Sequence, residues 1–233
     1  MLKAIAENVW VAKQPLKYMG LNVGTRMTVI RLIDQKLVVI SPIEPTETLN
    51  SELSDLGAVG HIISPNLYHH LYAKRFKSCH PNATLWATEG LKEKKPSLPI
   101  DRIIQLDGSV LWSEIDLTSF GGLRTLGFNG FDSFNEWVFF HAASRTLVLT
   151  DAAFHFDASF PFVERLIARA LGCYERLIPS VLERIATKDK QQLKAAVEKV
   201  LLWDFDQVVM AHGSVIERGG KEMFRSGYER FLR

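Results

Sequence analysis

An α/β fold is expected of this sequence, on three observations. Short apolar runs alternate with stretches of helical periodicity along the whole chain. Proline and glycine stand where those runs stop, as at Pro42, Gly57 and Pro65. Hydrophobic residues make up 47% of the chain against 23% charged, which supplies the mass for a large core and an ordinary solvated surface. At 233 residues the length suits one large unit spanning 1–233.

The elements follow in order. Asn8–Ala12, Met27–Ile33 and Lys36–Ser41 are rich in Val and Ile and predict strands, the last two paired as a hairpin through Asp34-Gln35. Leu49, Leu53 and Leu56 recur at helical spacing and Gly57 stops that helix. His61–Ser64 reads as a short buried strand ended by Pro65, and Asn66 as the cap of a helix running to about Ser78. Thr84–Ala87, Arg102–Leu106, Ile115–Phe120, Glu136–Phe140 and Thr146–Thr150 continue as strands, with 142–145 turning between the last two. Residues from Phe162 to about Lys188 predict helices interrupted at Gly172 and Pro179, an insertion at about 160–188. Asp189 caps a further helix with Leu193, Val197, Val200 and Leu201 on one face. Gln207–Met210 is a last buried strand, and a helix with Phe224, Tyr228 and Phe231 inward closes the chain.

Several function classes are disfavoured by composition. A net charge of +2 gives little pull toward nucleic acid or acidic lipid, so the expected partner is a small-molecule substrate or ligand, with no nucleic acid and no membrane. The basic stretch from Arg165 to Lys194 is diluted by Glu175, Glu183 and Asp189. Two distant cysteines, Cys79 and Cys173, form no Cys-x-x-Cys and suit a reducing cytosol. No secretory leader is seen in 1–8 and no apolar run reaches a membrane span, so a cytoplasmic location is expected.

The chemistry gathers at strand ends. No Gly-x-Ser-x-Gly, phosphate-binding glycine-lysine loop or His-Glu-x-x-His is present. Instead His69 and His70 follow one strand, Asp151 follows another and His212 a third. Ligands collect beyond the carboxyl ends of strands in α/β sheets, and imidazole with carboxylate is the usual donor set for zinc and non-haem iron. Arg26, before a strand, has a guanidinium fork suited to an anionic substrate group, with a surface ion pair as the plainer reading. Phe154, Phe156, Phe160 and Phe162 are read mainly as packing, and His155 as a surface or loop residue.

Asn8-Val9-Trp10-Val11 with its hairpin, Leu147–Asp151 and Val208–Gly213 together resemble the metallo-β-lactamase superfamily across essentially the whole chain. The resemblance implies an αββα four-layer sandwich, with Asp151 as the family's bridging aspartate and His212 as its late His-Gly ligand. The family's His-x-His-x-Asp-His motif falls on 65–70, where His70 takes the last His, His69 the Asp, and Pro65 and Leu67 the first two His. The next ligand falls at Asp132, a carboxylate in place of His, with Glu136 nearby as a further polar group. One metal position is thereby lost or changed, while the other keeps His70, Asp151 and His212, with His69 as a fourth. A ligand-depleted branch of the superfamily is implied, holding one zinc, iron or manganese ion, or none. Two readings stand side by side: a metal-dependent hydrolase that activates water toward an ester, thioester or phosphoester, with Asp151 orienting it, and a non-catalytic binding protein that keeps the fold without metal.

Overall fold

The structure, a computed structural model, describes residues 1–18, 21–105, 112–127 and 130–233. The first half runs β1 (Lys3–Ala6), β2 (Val9–Gln14), β3 (Lys17–Tyr18), β4 (Leu21–Asn22), β5 (Thr25–Arg31), β6 (Leu37–Ile40), α1 (Glu47–Leu56), β7 (Val59–Ser64), α2 (Ala73–Cys79), β8 (Thr84–Ala87), α3 (Leu91–Lys94) and β9 (Arg102–Ile103). The second runs β10 (Ile115–Phe120), β11 (Arg124–Gly127), β12 (Gly130–Ser133), β13 (Glu136–His141), β14 (Thr146–Val148), α4 (Phe162–Leu171), α5 (Val181–Ala186), α6 (Lys190–Leu201), β15 (Gln207–Val209) and α7 (Gly220–Leu232).

Among the described residues the strands form a seven-stranded sheet, β1-β2-β5-β6-β7-β8-β9, a four-stranded sheet, β10-β13-β14-β15, and two ribbons, β3-β4 and β11-β12. Both main sheets are mixed. From β6 to β9 the first is parallel, as the strand–helix rhythm predicts, and β14 pairs in parallel with β15.

Alternation along single strands shows the layering. On β6, Leu37 and Val39 pack with Leu49 and Leu53 of α1 and Phe76 of α2, while Val38 and Ile40 face the second sheet. On β13, Val138 and Phe140 face α6 and α7, and Phe139 faces back toward Val38 and Ile63. Two sheets therefore pack face to face with helices outside, an α/β sandwich of four layers. Each side chain fully buried in this way contributes roughly 1.5–3 kcal/mol. No helix among the described residues is long and apolar enough to cross a membrane.

Local signals act as expected at most ends. The β5–β6 turn places Gln35 at φ 65°, with Lys36 N donating to Asp34 Oδ1 at 3.0 Å. Thr46 caps α1, Ser180 caps α5 and Asp189 caps α6 through their side-chain oxygens. Leu106, assigned to a strand end, lies outside the described residues.

The helix expected from Asn66 begins only at Ala73. Asn66 Oδ1 accepts from the N–H groups of both Tyr68 and His69 at 2.8 Å, so it caps a turn, and the helix starts only seven residues after Asn66. Strand β1, the β3–β4 ribbon, the short helix α3 and the β11–β12 ribbon are additional to the expected elements. His155, read as a surface or loop residue, is buried, and so is His141: His141 Nδ1 is 2.7 Å from Ser144 Oγ, and His155 O accepts from Ser214 N. Both cysteines are free, Cys79 exposed and Cys173 buried, with burial pushing the Cys173 thiol up to about 12.

The insertion is fastened to the last helix by one close approach. A Cβ on Gly227, in α7, would lie 1.9 Å from Leu177 O. Alanine normally favours a helix by about 1 kcal/mol over glycine. Gly227→Ala should reverse that sign and destabilise the protein by about 2 kcal/mol or more in urea unfolding. A more stable variant would refute the contact.

Candidate metal centre

Three donors converge where the two main sheets meet. His69 comes from the turn after β7, Asp151 from the segment after β14, and His212 from the segment after β15. His69 Nε2 lies 3.2 Å from Asp151 Oδ2, and His212 Nε2 lies 3.5 Å from Asp151 Oδ1. One ligand atom from each lies within 4.8 Å of the others. Donors bonded at about 2.0–2.2 Å to one tetrahedral ion stand roughly 3–4 Å apart; both Asp151 separations lie in that range, so these three residues could hold one ion.

The far side of each ring is pinned. His212 Nδ1 donates to Gly24 O at 2.6 Å, which leaves Nε2 as the lone-pair nitrogen. His69 Nδ1 lies 2.7 Å from Ser41 Oγ, and Ser41 takes φ 55°, a left-handed conformation uncommon outside glycine. Gly213, at φ 94°, lets the segment after β15 pass against His155, whose carbonyl oxygen a Cβ there would approach to 2.1 Å.

Behind the donors lies a buried polar knot. Glu136 accepts from Thr150 N and Asp151 N, both at 2.8 Å, and so fixes the backbone that carries Asp151. Asn66 Nδ2 donates to Asp151 Oδ2 at 2.8 Å and lies 3.1 Å from both Glu136 Oε2 and Thr150 Oγ1. Burial pushes the Asp151 carboxyl up, but His69, by charge and hydrogen bond, then His212 and the Asn66 amide outweigh it and bring it to about 2. Burial and the charge of Asp151 both raise Glu136. Burial draws His69 down, yet the charge and hydrogen bond of Asp151, with Glu136 beyond, leave it raised; burial keeps His212 lowered.

The other expected site residues stand apart from these three. His70 is not one of the converging donors: burial, with Lys95 and Lys94 nearby, depresses it to about 4. Asn66 explains the division, since its hold on His69 N turns that residue, and not its neighbour, toward Asp151. Asp132 accepts from Tyr68 Oη at 3.0 Å, and the Lys94 ammonium lies 3.9 Å over the Tyr68 ring. Glu136 supports Asp151 from behind. Arg26 is 2% exposed and makes no surface ion pair; its guanidinium donates to Met210 O and Gly213 O, and burial lowers it to about 10. Asn66 and Ser41 were not expected at the site. An asparagine directly after a strand-ending Pro65 offered a signal for the first; nothing in the sequence marked the second.

A cavity of about 250 Å³ lies alongside, walled by Lys13, Asn22, Gly24, Arg26, Glu164 and Gly213, with Phe160 and Pro161 at the start of α4. Only that start of the expected helical cover borders it. α5 packs instead on β11, where Thr125 Oγ1 donates to Glu183 at 3.1 Å.

A family model described as a domain of unknown function, DUF4336, matches residues 6–176. The chain belongs to the DUF4336 family. No curated protein matches it. Solved metallo-β-lactamases match it in structure. The DIM-1 enzyme exposed to ceftazidime gives a TM-score of 0.67 at 14% identity, covering 99% of this chain and 96% of that one. A metallo-β-lactamase from Pontibacter korlensis gives 0.66 at 13%, covering 100% and 98%. FIM-1 from Pseudomonas aeruginosa in its mono-zinc form gives 0.66 at 10%, covering 100% and 96%. At these identities the likeness establishes that this DUF4336 chain has the metallo-β-lactamase fold, and the fold alone.

Asn66 offers the sharpest test of the knot. Asn66→Asp removes the amide donors and sets a third carboxylate beside Asp151 and Glu136. It should cost at least about 3 kcal/mol in urea unfolding. A loss below about 1 kcal/mol would show that the amide does not tie the sheets together.

Proposed function

We propose that the protein is a metal-dependent hydrolase with a single-ion site formed by His69, Asp151 and His212, acting on an ester, thioester or phosphoester. One observation carries this reading: three donors from separate strand ends face one point, with each imidazole oriented from behind. Zinc suits two imidazoles and a carboxylate best, and iron or manganese the same set less closely. Bound there, a divalent cation supplies Lewis acidity that polarises a carbonyl or phosphoryl oxygen and acidifies water.

The chain's own contribution is positional. Asp151, held near 2, stays anionic at neutral pH and balances the charge of an ion. His212 keeps its proton on Nδ1, bound to Gly24 O. The cavity bordered by Gly24, Ala211 and Gly213 gives a small substrate room against the segment that carries His212, although none of the three donors lines it. A second ion is disfavoured by what stands at the other family position. Pro65 and Leu67 offer no donor side chain there; their backbones bond Trp137 N and Phe134 O, and Lys94 is a cation close to Asp132. The mono-zinc form of FIM-1 supports the view that this fold accommodates one ion.

Elemental analysis of untagged protein should give about one metal per chain, lost in His212→Ala and Asp151→Asn and retained in His70→Ala. The metal-loaded protein should hydrolyse at least one phosphodiester, lactone or thioester probe, and chelation should abolish the activity. Failure to retain zinc, iron or manganese refutes the site. Stoichiometric metal with silence on all three probes assigns the chain to metal binding without hydrolysis.

The pH dependence has a definite sign. A ligating imidazole must be neutral. The His69 pKa is raised above its usual 6.5, so protons compete for this residue at and somewhat above that pH. Zinc affinity by calorimetry should be flat at alkaline pH and fall about tenfold per unit once pH drops below the His69 pKa. Affinity unchanged from pH 8 to pH 5 would contradict the assignment of His69 as ligand.

A further inference from the structure

Two consecutive helices carry their apolar residues outward. On α4, Phe162, Val163 and Leu166 are 67%, 61% and 56% exposed, while Ala168 is buried and Glu164 half-buried. On α5, Val181, Leu182 and Ile185 are exposed, while Glu183 and Ala186 are buried. Residues i, i+1 and i+4 share one side of a helix. Both helices therefore present the same pattern, two apolar residues, Glu-Arg and another apolar residue, in the same phase, with the glutamate turned in. A surface helix of a globular protein ordinarily does the reverse.

The glutamates are occupied within the fold. Glu183 accepts from Ser180 Oγ and Thr125 Oγ1, and Glu164 lines the cavity wall. The cations stay outside: Arg169, Arg176, Arg184 and Lys188 are exposed, and Arg165 lies half-buried, its guanidinium 6.0 Å over the Phe162 ring. Glu175 is the one exposed acid between residues 162 and 188. The whole-chain charge of +2 conceals this, because Glu183 counts in the sum but is folded inward.

We propose that the outward faces of α4 and α5 dock on an anionic lipid bilayer. Apolar side chains on surface helices, flanked by arginine, suit the plane where acyl chains meet acidic headgroups. The rim decides between occupants. A second copy of this chain would set one arginine rim against another, with Glu183 buried, Glu164 half-buried and Glu175 the single exposed acid to offset them. Acidic phospholipids match both the apolar face and its cations. The start of α4, with Phe160 and Pro161, also walls the cavity beside the metal-centre loops, so docking brings that wall to the lipid surface.

Flotation of the full-length protein with phosphatidylcholine vesicles, with and without one-third phosphatidylserine, tests this. Binding is expected to the serine-lipid vesicles and to weaken in high salt. Leu166→Ser with Ile185→Ser should lower partition by roughly tenfold. Arg184→Glu should lower it by at least roughly fivefold. These side chains face solvent, so unchanged thermal unfolding and far-ultraviolet dichroism keep the comparison on a folded protein. No partition onto either vesicle overturns the proposal, as does equal binding to the neutral one. A concentration-dependent dimer in light scattering, abolished by the same serine substitutions without vesicle binding, overturns it in favour of self-association.

Discussion

Glu136 and Asp151 lie side by side inside the protein, and the carboxamide of Asn66 holds them there. Two buried carboxylates repel, and neither is easily desolvated, so their tolerance depends on donors. Backbone N–H groups of Thr150 and Asp151 supply two to Glu136, the Asn66 amide reaches both carboxylates, and His69 and His212 face Asp151. Because Asn66 follows β7 of one sheet and the carboxylates belong to the other, this contact also sets where the sheets meet. The turn it makes fixes His69, and the carboxylate it holds is the one both imidazoles face.

That dependence explains what the sequence disclosed and what it did not. Periodicity and caps located the main helices and most of the sheet strands, since Leu49, Leu53, Asp189 and Phe224 act locally or on one face. Asp151 and His212 were legible because each follows a short apolar strand directly. His69 could not be separated from His70 by spacing. The choice between them rests on a side chain reaching from Asn66 across to Asp151, a contact between residues 85 apart in the chain. The surface ion pair that was the plainer reading of Arg26 fails for a related reason: its carbonyl partners, Met210 and Gly213, arrive from the far end of the chain.

Where the family resemblance implied another metal position, the residues present make structural contacts instead. Pro65 and Leu67 now join the sheets through their backbones, to Trp137 and Phe134. Tyr68, Asp132 and Lys94 form a contact of ring, carboxylate and ammonium beside them. These contacts join the sheets, while the His69 and His212 imidazoles both face Asp151.

The outer core of the second sheet has a consequence for where the protein can be cut. Val138, Phe140 and Leu147 are covered by Leu193, Val197, Phe224 and Tyr228, all beyond residue 176, where the DUF4336 match stops. β14 likewise finds its parallel neighbour in β15. A fragment trimmed to the matched region would expose an apolar sheet face, open a strand edge to intermolecular pairing and lose His212. The extent of shared sequence is therefore shorter than the stretch that completes this core, so expression boundaries need to run through α7.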